Sequence, residues 1–328
     1  MIESFKNLVS IFGSNDAALG YVLDGRRAFV EPGIYDVFSS HVGTGSILFG
    51  HDAEFRKVIA TAGTDGQMFH LTACSLSGFK LGHYNPTSLA TTFVPLIEVR
   101  DTGSLVDIHV YNGRQGAINC VGCNSVHIEG GFYELTRGHA IIFDDTHYSI
   151  VLNTEVRSNL DFGVRLVNTA TFNEMRGMKS IGNGLELIGI TSGCLYNRVI
   201  DNDARNSWDN GISISGDYTV VRGNICRENR YDGIGVFGSY NVVYGNIAIN
   251  NGWAAAGAYG GISVREDTGA GNYNSVMGNI AQGGNDHGFI VKSETIGNVL
   301  RGNLDNGSIG GLLIEDPSRL GEENGTSV

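Results

Sequence analysis

Gly233-Ile-Gly-Val-Phe237, followed closely by Asn241-Val-Val-Tyr-Gly-Asn246, is the passage that decides the fold. Apolar and variable residues alternate with period two in the first piece, the mark of a strand, and the Gly-Asn ending of the second reads as a turn. Both pieces recur. The Gly-Asn frame returns as Asn274-Ser-Val-Met-Gly-Asn279 and Asn298-Val-Leu-Arg-Gly-Asn303, with looser copies at Asn197-Arg-Val-Ile-Asp-Asn202 and Thr219-Val-Val-Arg-Gly-Asn224. The small-residue frame returns as Gly211-Ile-Ser-Ile-Ser, Gly261-Ile-Ser-Val-Arg and Gly288-Phe-Ile-Val-Lys. It extends back through Gly184-Leu-Glu-Leu, Gly163-Val-Arg-Leu, Ala140-Ile-Ile-Phe and Gly116-Ala-Ile-Asn, and forward to Gly311-Leu-Leu-Ile. Successive small residues are 24, 23, 21, 27, 22, 28, 27 and 23 positions apart, which makes nine registers.

A period near 24 that holds two or three strands and no helical stretch describes one coil of a solenoid. The third position of the frame reads Asn119, Phe143, Leu166, Leu187, Ile214, Val236, Val264, Val291, Ile314. A column so apolar is expected to face inward, each strand pairing with its equivalents at a spacing of about 4.8 Å. The fold class that follows is all-β, a single-stranded right-handed parallel β-helix. Ser75-Leu-Ser-Gly-Phe and Leu105-Val-Asp-Ile-His-Val keep the alternation earlier in the chain. The Asn of each Gly-Asn pair suits a turn, because Asn tolerates left-handed backbone and can ladder its amide to the next coil. Residues 1–12 carry a weak helical pattern, Ser14-Asn-Asp-Ala-Ala-Leu resembles a helix N-cap, and Pro32-Gly33 marks a turn between short strands. The organisation read from this is a cap and attachment segment over 1–37, the β-helix over 38–316 and a C-terminal tail over 317–328.

Composition agrees and excludes some functions. Forty-eight Gly and only 4 Pro among 328 residues, with 17% charged, describe an ordered, turn-dense fold. A net charge of −12 without a basic stripe argues against nucleic acid, and no run approaches the ~18 apolar residues that would insert in a membrane. Met1-Ile-Glu-Ser-Phe-Lys has neither the basic start nor the apolar stretch of a signal peptide, so folding in the cytoplasm and release by lysis or another non-signal route is expected. The five cysteines, Cys74, Cys120, Cys123, Cys194 and Cys226, form no disulfide framework. Cys120 and Cys123 form a lone C-x-x-C without a second ligand pair, and are read as small buried thiols. No cofactor is called for, and no metal site.

The Asn-Asp-Ala-rich start, Phe29-Val-Glu-Pro-Gly-Ile-Tyr35 and the Gly-Asn coils resemble the pectate-lyase-type β-helix superfamily, which includes phage tailspikes, polysaccharide lyases, glycosidases and mannuronan epimerases. The resemblance covers nearly the whole chain; it implies the fold and a carbohydrate polymer as partner, while the members' sites differ. The Tyr-Gly-x-Asp-Pro-His signature of the epimerases does not occur, since the only Asp-Pro is Asp316-Pro317, followed by Ser318. Short echoes of polygalacturonase-like motifs, Asp144-Asp145, Asn153-Thr-Glu155, Asp286-His287-Gly288 and Val291-Lys292, come in the wrong order and lack the expected Arg.

Two groups of residues carry acid, base or sugar-binding chemistry. The first is His139, Asp144, Asp145, His147, Asp161, Arg165 and Glu186, with Arg165 and Glu186 expected to share an outward column as an ion pair. The second supplies the expected carbohydrate site: Asp209, Asp232, Glu266 and Asp286 as catalytic carboxylates, with Trp208, Tyr231, Tyr259, Arg265, His287 and Lys292 as binding groups and Asp267 beside them. Aromatic faces stack on sugar C–H surfaces, and glycoside hydrolysis uses two carboxyl groups ~5–10 Å apart. Asp209-Asn-Gly, Asp232-Gly and Asp286-His-Gly are also ordinary turn formers, in which Asp bonds its own backbone. The 28-residue step around Trp253-Ala-Ala-Ala-Gly-Ala-Tyr259 is an insertion of the kind that marks a working face.

The function expected from this sequence is a virion spike of a phage or phage-like particle that binds bacterial surface polysaccharide, with or without depolymerising it, and that contacts other virion proteins through its N-terminus. A secreted-type polysaccharide lyase, hydrolase or epimerase and a non-catalytic adhesive β-helix are the alternatives. Ile118, Ile142, Ile188, Phe237, Ile290 and Leu313, placed in outward columns, suggest a homotrimer.

Overall fold

The computed structural model describes residues 2–58, 67–84, 95–113, 116–255, 257–266, 271–283, 286–316 and 325–327. All strand pairings among them are parallel, and the fold is a right-handed parallel β-helix. The chain divides into two compact units, Met1–Asp161 and Phe162–Val328.

In the first unit two helices, α1 (Phe5–Phe12) and α2 (Asn15–Val22), start on the side chains of Ser4 and Ser14, each of which accepts a backbone N–H three residues on. Parallel pairing begins already at Glu3–Ser4 against Arg27–Val30, so the ladder reaches into the segment assigned from sequence to a cap. Arg27–Val30 and Gly33–Val37 flank the turn expected at Pro32-Gly33, and both pair with the long strand Ile47–Val58. Phe5, Tyr35, Phe55, Phe69 and Phe79 pack edge-on or tilted into an aromatic core at this end of the unit. Shorter strands follow, ending with Ile141–Asp144, Ile150–Leu152 and Glu155–Arg157.

The second unit repeats a coil of three short strands. In one series Val164 pairs with Ile188, Ile188 with Ile212, Ile212 with Ile234, Ile234 with Ile262 and Ile262 with Phe289. The two residues on, Leu166, Ile190, Ile214, Val236, Val264 and Val291, form the inward column, and each is at most 3% exposed. Two registers differ from the sequence reading. Leu187 stands at the opening position of the frame, level with Gly163 and Gly211, and Ile190 takes its place in the column, so the frame starts at Leu187 and not three residues earlier at Gly184. In the first unit Phe143 pairs with Cys120, so the frame starts at Ala117 and Asn119 points outward. A bulky Leu and an Ala fill positions for which a preceding Gly offered the more obvious match.

These shifts also change the outer surface. Ile118 and Ile188 belong to an inward column, and Ile142 and Ile290 are covered, leaving Phe237 and Leu313 half-buried. The apolar surface on which the homotrimer expectation rests is correspondingly small at these positions. Arg165 lies opposite Gly189, not in the column of Glu186, and its guanidinium sits 4.8 Å from the centre of the Phe162 ring.

Asparagine ladders close the turns. Asn202, Asn224, Asn246, Asn279 and Asn303 are buried, and each of the first four donates both its backbone N–H and its side-chain Nδ2 to Oδ1 of the next, at 2.9–3.0 Å. The left-handed residue of each turn is the one before the Asn, such as Gly223 (φ 66°) and Gly245 (φ 63°); the Asn itself turns inward. A second turn uses the same geometry with an aromatic residue in the left-handed position. Phe172, Tyr196, Tyr218, Tyr240 and Tyr273 have φ between 54° and 60° and stack one on the next with ring centres 5.0–5.3 Å apart. All five cysteines are buried as thiols.

Candidate functional site

Alternation sends every second residue of the Val164–Val291 strand series outward, and here the outward residues are small: Gly189, Ser213, Gly235 and Ser263 lie in line between Arg165 and Ile290. The Phe237 ring covers Gly235, and Ser263 is fully buried beside Asp232 and Arg265. Around Gly189 and Ser213 the face stays open as a cleft of about 270 Å³, lined by Phe162, Glu186, Gly189, Thr191, Ser213 and Ser215 among others. Position 189 must be glycine, because a Cβ there would run into the Phe162 ring that forms the cleft wall.

Glu186 is the chemical centre of this cleft. It precedes its strand at the position held in later coils by Asn210 and Asp232, and its backbone carbonyl accepts the Gly163 N–H at 2.9 Å. The side chain is 6% exposed, and its Oε2 is buried without a hydrogen-bond partner. Burial, and then the nearby Asp209 carboxylate, push its pKa up to about 8 against the smaller pull of Ser213 and Asn210. Asp209 is itself shifted upward by burial, opposed by the Asn210 N–H that it accepts at 2.8 Å and by the Arg230 charge. The pair thus holds one carboxyl protonated at neutral pH beside a second that is more readily ionised.

The other residues anticipated from sequence fall into distinct roles. Asp232 is 1% exposed, and its Oδ1 accepts from Gly260 N (2.7 Å), Ser263 Oγ (2.5 Å) and Arg265 Nη2 (2.9 Å). Burial pushes its carboxyl up, while Arg265 and these donors pull the other way. Arg265 also donates to the Ala258 carbonyl, and Asp286 Oδ2 accepts the Ala258 N–H, so the two carboxylates act through that contact to hold the loop carrying Trp253 and Tyr259. Tyr231 and Tyr259 stack at 4.5 Å, with Arg265 5.0 Å over Tyr259. His287 packs against Gly310, Lys292 pairs with Glu315 at 2.5 Å, and Glu266 is exposed. Asp267 lies outside the described residues. In the first unit His139 Nδ1 stands 3.2 Å from Asp161, and His147 stands 3.7 Å from Asp145.

Three features escaped the sequence reading. Glu186 was placed as a surface ion-pair partner because the frame around it was taken three residues early; the alternation Leu187-Ile-Gly-Ile190 was the available signal. Arg230 and Trp253 join Trp208 in a cation–aromatic cluster that no local motif announces. The aromatic ladder was legible as Phe172-Asn173, Tyr196-Asn197, Tyr240-Asn241 and Tyr273-Asn274, with Tyr218-Thr219 in the coil between the second and third.

Among the described residues no three His, Cys, Asp or Glu side chains are placed to hold a metal ion, and no helix is long and apolar enough to cross a membrane. No protein-family model and no curated protein sequence matches the chain. Solved structures do. The A-modules of two mannuronan C-5 epimerases of Azotobacter vinelandii superpose with TM-scores of 0.85 and 0.83 at 14% identity, each over 99% of this chain and 99% and 100% of theirs. The Dettilon tailspike protein superposes with a TM-score of 0.71 at 15% identity, over 92% of this chain and 64% of its own. At such identities the likeness establishes a shared β-helix fold.

Proposed function

We propose that the chain is a polysaccharide-acting β-helix that takes a glycan at the cleft beside Gly189 and Ser213 and cleaves it at Glu186 and Asp209. The observation that carries this is the buried, protonated Glu186, open to a cleft and paired with a second carboxylate. Glycosidic cleavage requires an acid that still holds its proton at working pH, to protonate the leaving oxygen, and a carboxylate to assist on the other side of the bond. Burial supplies the first condition and Asp209 reinforces it; Asp209 supplies the second, burial raising its pKa while the Asn210 N–H and the Arg230 charge oppose that rise. The neighbouring Ser213, Ser215 and Thr191 hydroxyls offer hydrogen bonds to sugar hydroxyls, and Phe162 offers an apolar wall.

The proposed setting is a virion spike engaging bacterial surface polysaccharide, in line with the likeness to a tailspike. The stronger likeness to the epimerase modules favours, as a second reading, proton abstraction from a uronate without chain cleavage. Incubation of wild type, Glu186→Gln and Asp209→Asn with purified capsular and O-antigen polysaccharides separates these readings. A hydrolase yields new saturated reducing ends, a lyase yields unsaturated ends, and an epimerase leaves chain length unchanged while exchanging a ring proton with solvent. Removal of the acid is expected to lower product formation by about 10²–10⁴-fold with glycan retention preserved; product formation by Glu186→Gln at the wild-type rate would remove Glu186 from the chemistry.

A further inference from the structure

Both tryptophans of the chain, Trp208 and Trp253, are strongly exposed, at 61% and 59%, and both converge on one cation. The Arg230 guanidinium carbon lies 5.7 Å from the Trp208 ring centre, 6.0 Å from that of Trp253 and 5.3 Å from that of Tyr231. The backbone builds this arrangement from adjacent coils. Trp208 N–H donates to Asn183 O, Arg230 N–H to Ser207 O, and Ala254 N–H to the Arg230 carbonyl at 3.0 Å, which fastens the Trp253 turn to the coil of Arg230. Among the described residues no carboxylate lies within ion-pair distance of Arg230, and its Nε is buried without a hydrogen-bond partner. In a chain of net charge −12, a cation set between exposed aromatic rings is chemically distinctive. Arg176, Arg198, Arg205, Arg227 and Arg265 of the same unit are by contrast each ion-paired with an Asp or Glu.

We infer that Trp208, Arg230 and Trp253 form a subsite for a sugar residue bearing an anionic substituent, so that the polymer taken at Glu186 and Asp209 is an acidic glycan. This rests on the reading of that carboxylate pair as the working centre, which Asp209 links to the clamp: it follows Trp208 directly, and the Arg230 charge opposes the rise that burial imposes on its pKa. Cation–π attraction from the flanking rings holds the guanidinium in place; its Nε is buried, so the terminal Nη groups are the ones left to meet a carboxylate or sulfate with two parallel hydrogen bonds. The outer faces of the tryptophans remain open to the C–H surface of the same or the next sugar. A neutral sugar would leave the cation without an anionic partner at ion-pair distance, so the clamp discriminates by charge and the cleft by shape.

Because the two tryptophans are the only ones in the chain, intrinsic tryptophan fluorescence reads this subsite and no other. The full chain is titrated with a linear mannuronate hexamer, a linear galacturonate hexamer and a linear mannose hexamer, the last being the neutral counterpart of the first. At least one acidic hexamer is expected to bind about tenfold or more tighter than the mannose hexamer. Arg230→Gln is expected to abolish that preference and Arg230→Lys, which keeps the charge but loses the fork, to retain part of it. Equal affinity for acidic and neutral hexamers, no response to either acidic hexamer, or a preference that survives in Arg230→Gln would overturn the inference. If Arg230→Gln does not fold, the wild-type comparison and Arg230→Lys decide it. Product formation is followed separately, so a chain that selects acidic hexamers yet forms no product keeps the subsite and loses the hydrolase.

Discussion

Replacing Glu186 by Gln should stabilise the protein at neutral pH even as it removes the proposed acid. In the unfolded chain this carboxyl ionises near its ordinary value of 4.5, whereas in the fold it holds its proton to about 8. Between those two values the unfolded state releases a proton that the folded state keeps, so stability falls by about 1.4 kcal/mol for each pH unit. The full stability is present below pH 4.5 and the loss is complete above pH 8; at pH 7 it is about 3 kcal/mol. Gln keeps the shape and the polar neighbours Ser213 and Asn210 but carries no charge. Wild type and Glu186→Gln should therefore melt together at pH 4.5 and diverge progressively up to pH 8, the variant being the more stable. The assay is thermal or guanidinium unfolding of both proteins at half-unit pH steps, and a stability difference that does not change between pH 4.5 and 8 would refute the assignment of a buried, protonated Glu186.

Asp209→Asn removes the negative charge that helps keep Glu186 protonated, so the pH above which Glu186 ceases to cost further stability should move down, measurable in the pH dependence of guanidinium unfolding. Asn224→Ala should destabilise by about 3–6 kcal/mol in denaturant unfolding, because it strands the buried donors of Asn202, the Val199 carbonyl and one acceptor interaction of Asn246. At Tyr218, Gly should be tolerated better than Ala by about 1 kcal/mol in the same assay, since both lose the stacks on Tyr196 and Tyr240 but only Gly is at ease at φ 54°. Asp232→Asn should loosen the loop held through Arg265 and Ala258, and is expected to appear as faster proteolysis near residue 255 and a shifted Trp emission with the β-sheet circular dichroism retained.

How much of this was legible in the sequence follows from what each residue reports. Gly211, Gly233, Gly261 and Gly288 marked their strands correctly because a small residue there lets neighbouring coils approach; a Cβ on Gly211 or Gly233 would press on the next coil's carbonyl. The frame slipped at Leu187 and Ala117, where that demand is met by other means, and a slip of even one residue reverses every side chain between core and surface. Glu186 was seen but misassigned for that reason. The carboxylates flagged by their neighbours in sequence, Asp232 and Asp286, make contacts that hold the loop, as their Asp-Gly and Asp-His-Gly settings also allowed. Burial of a charge depends on residues from several coils, so neither the raised pKa of Glu186 nor the convergence of Trp208 and Trp253 on Arg230 could be read from any single stretch.

The asparagine ladder runs from Asn224 to Asn246 across a separation of 22 residues and from Asn246 to Asn279 across 33, with the same bond lengths. Chain length between two rungs is therefore not what keeps coils aligned; the closing amide is. Loops hung between rungs can lengthen, shrink or be exchanged without the remainder of the coil losing step. The 28-residue step that brings Trp253 beside Arg230 is one such freedom already used, and it suggests how a scaffold of this kind diversifies: recognition surfaces are edited as cassettes, while the amides keep count.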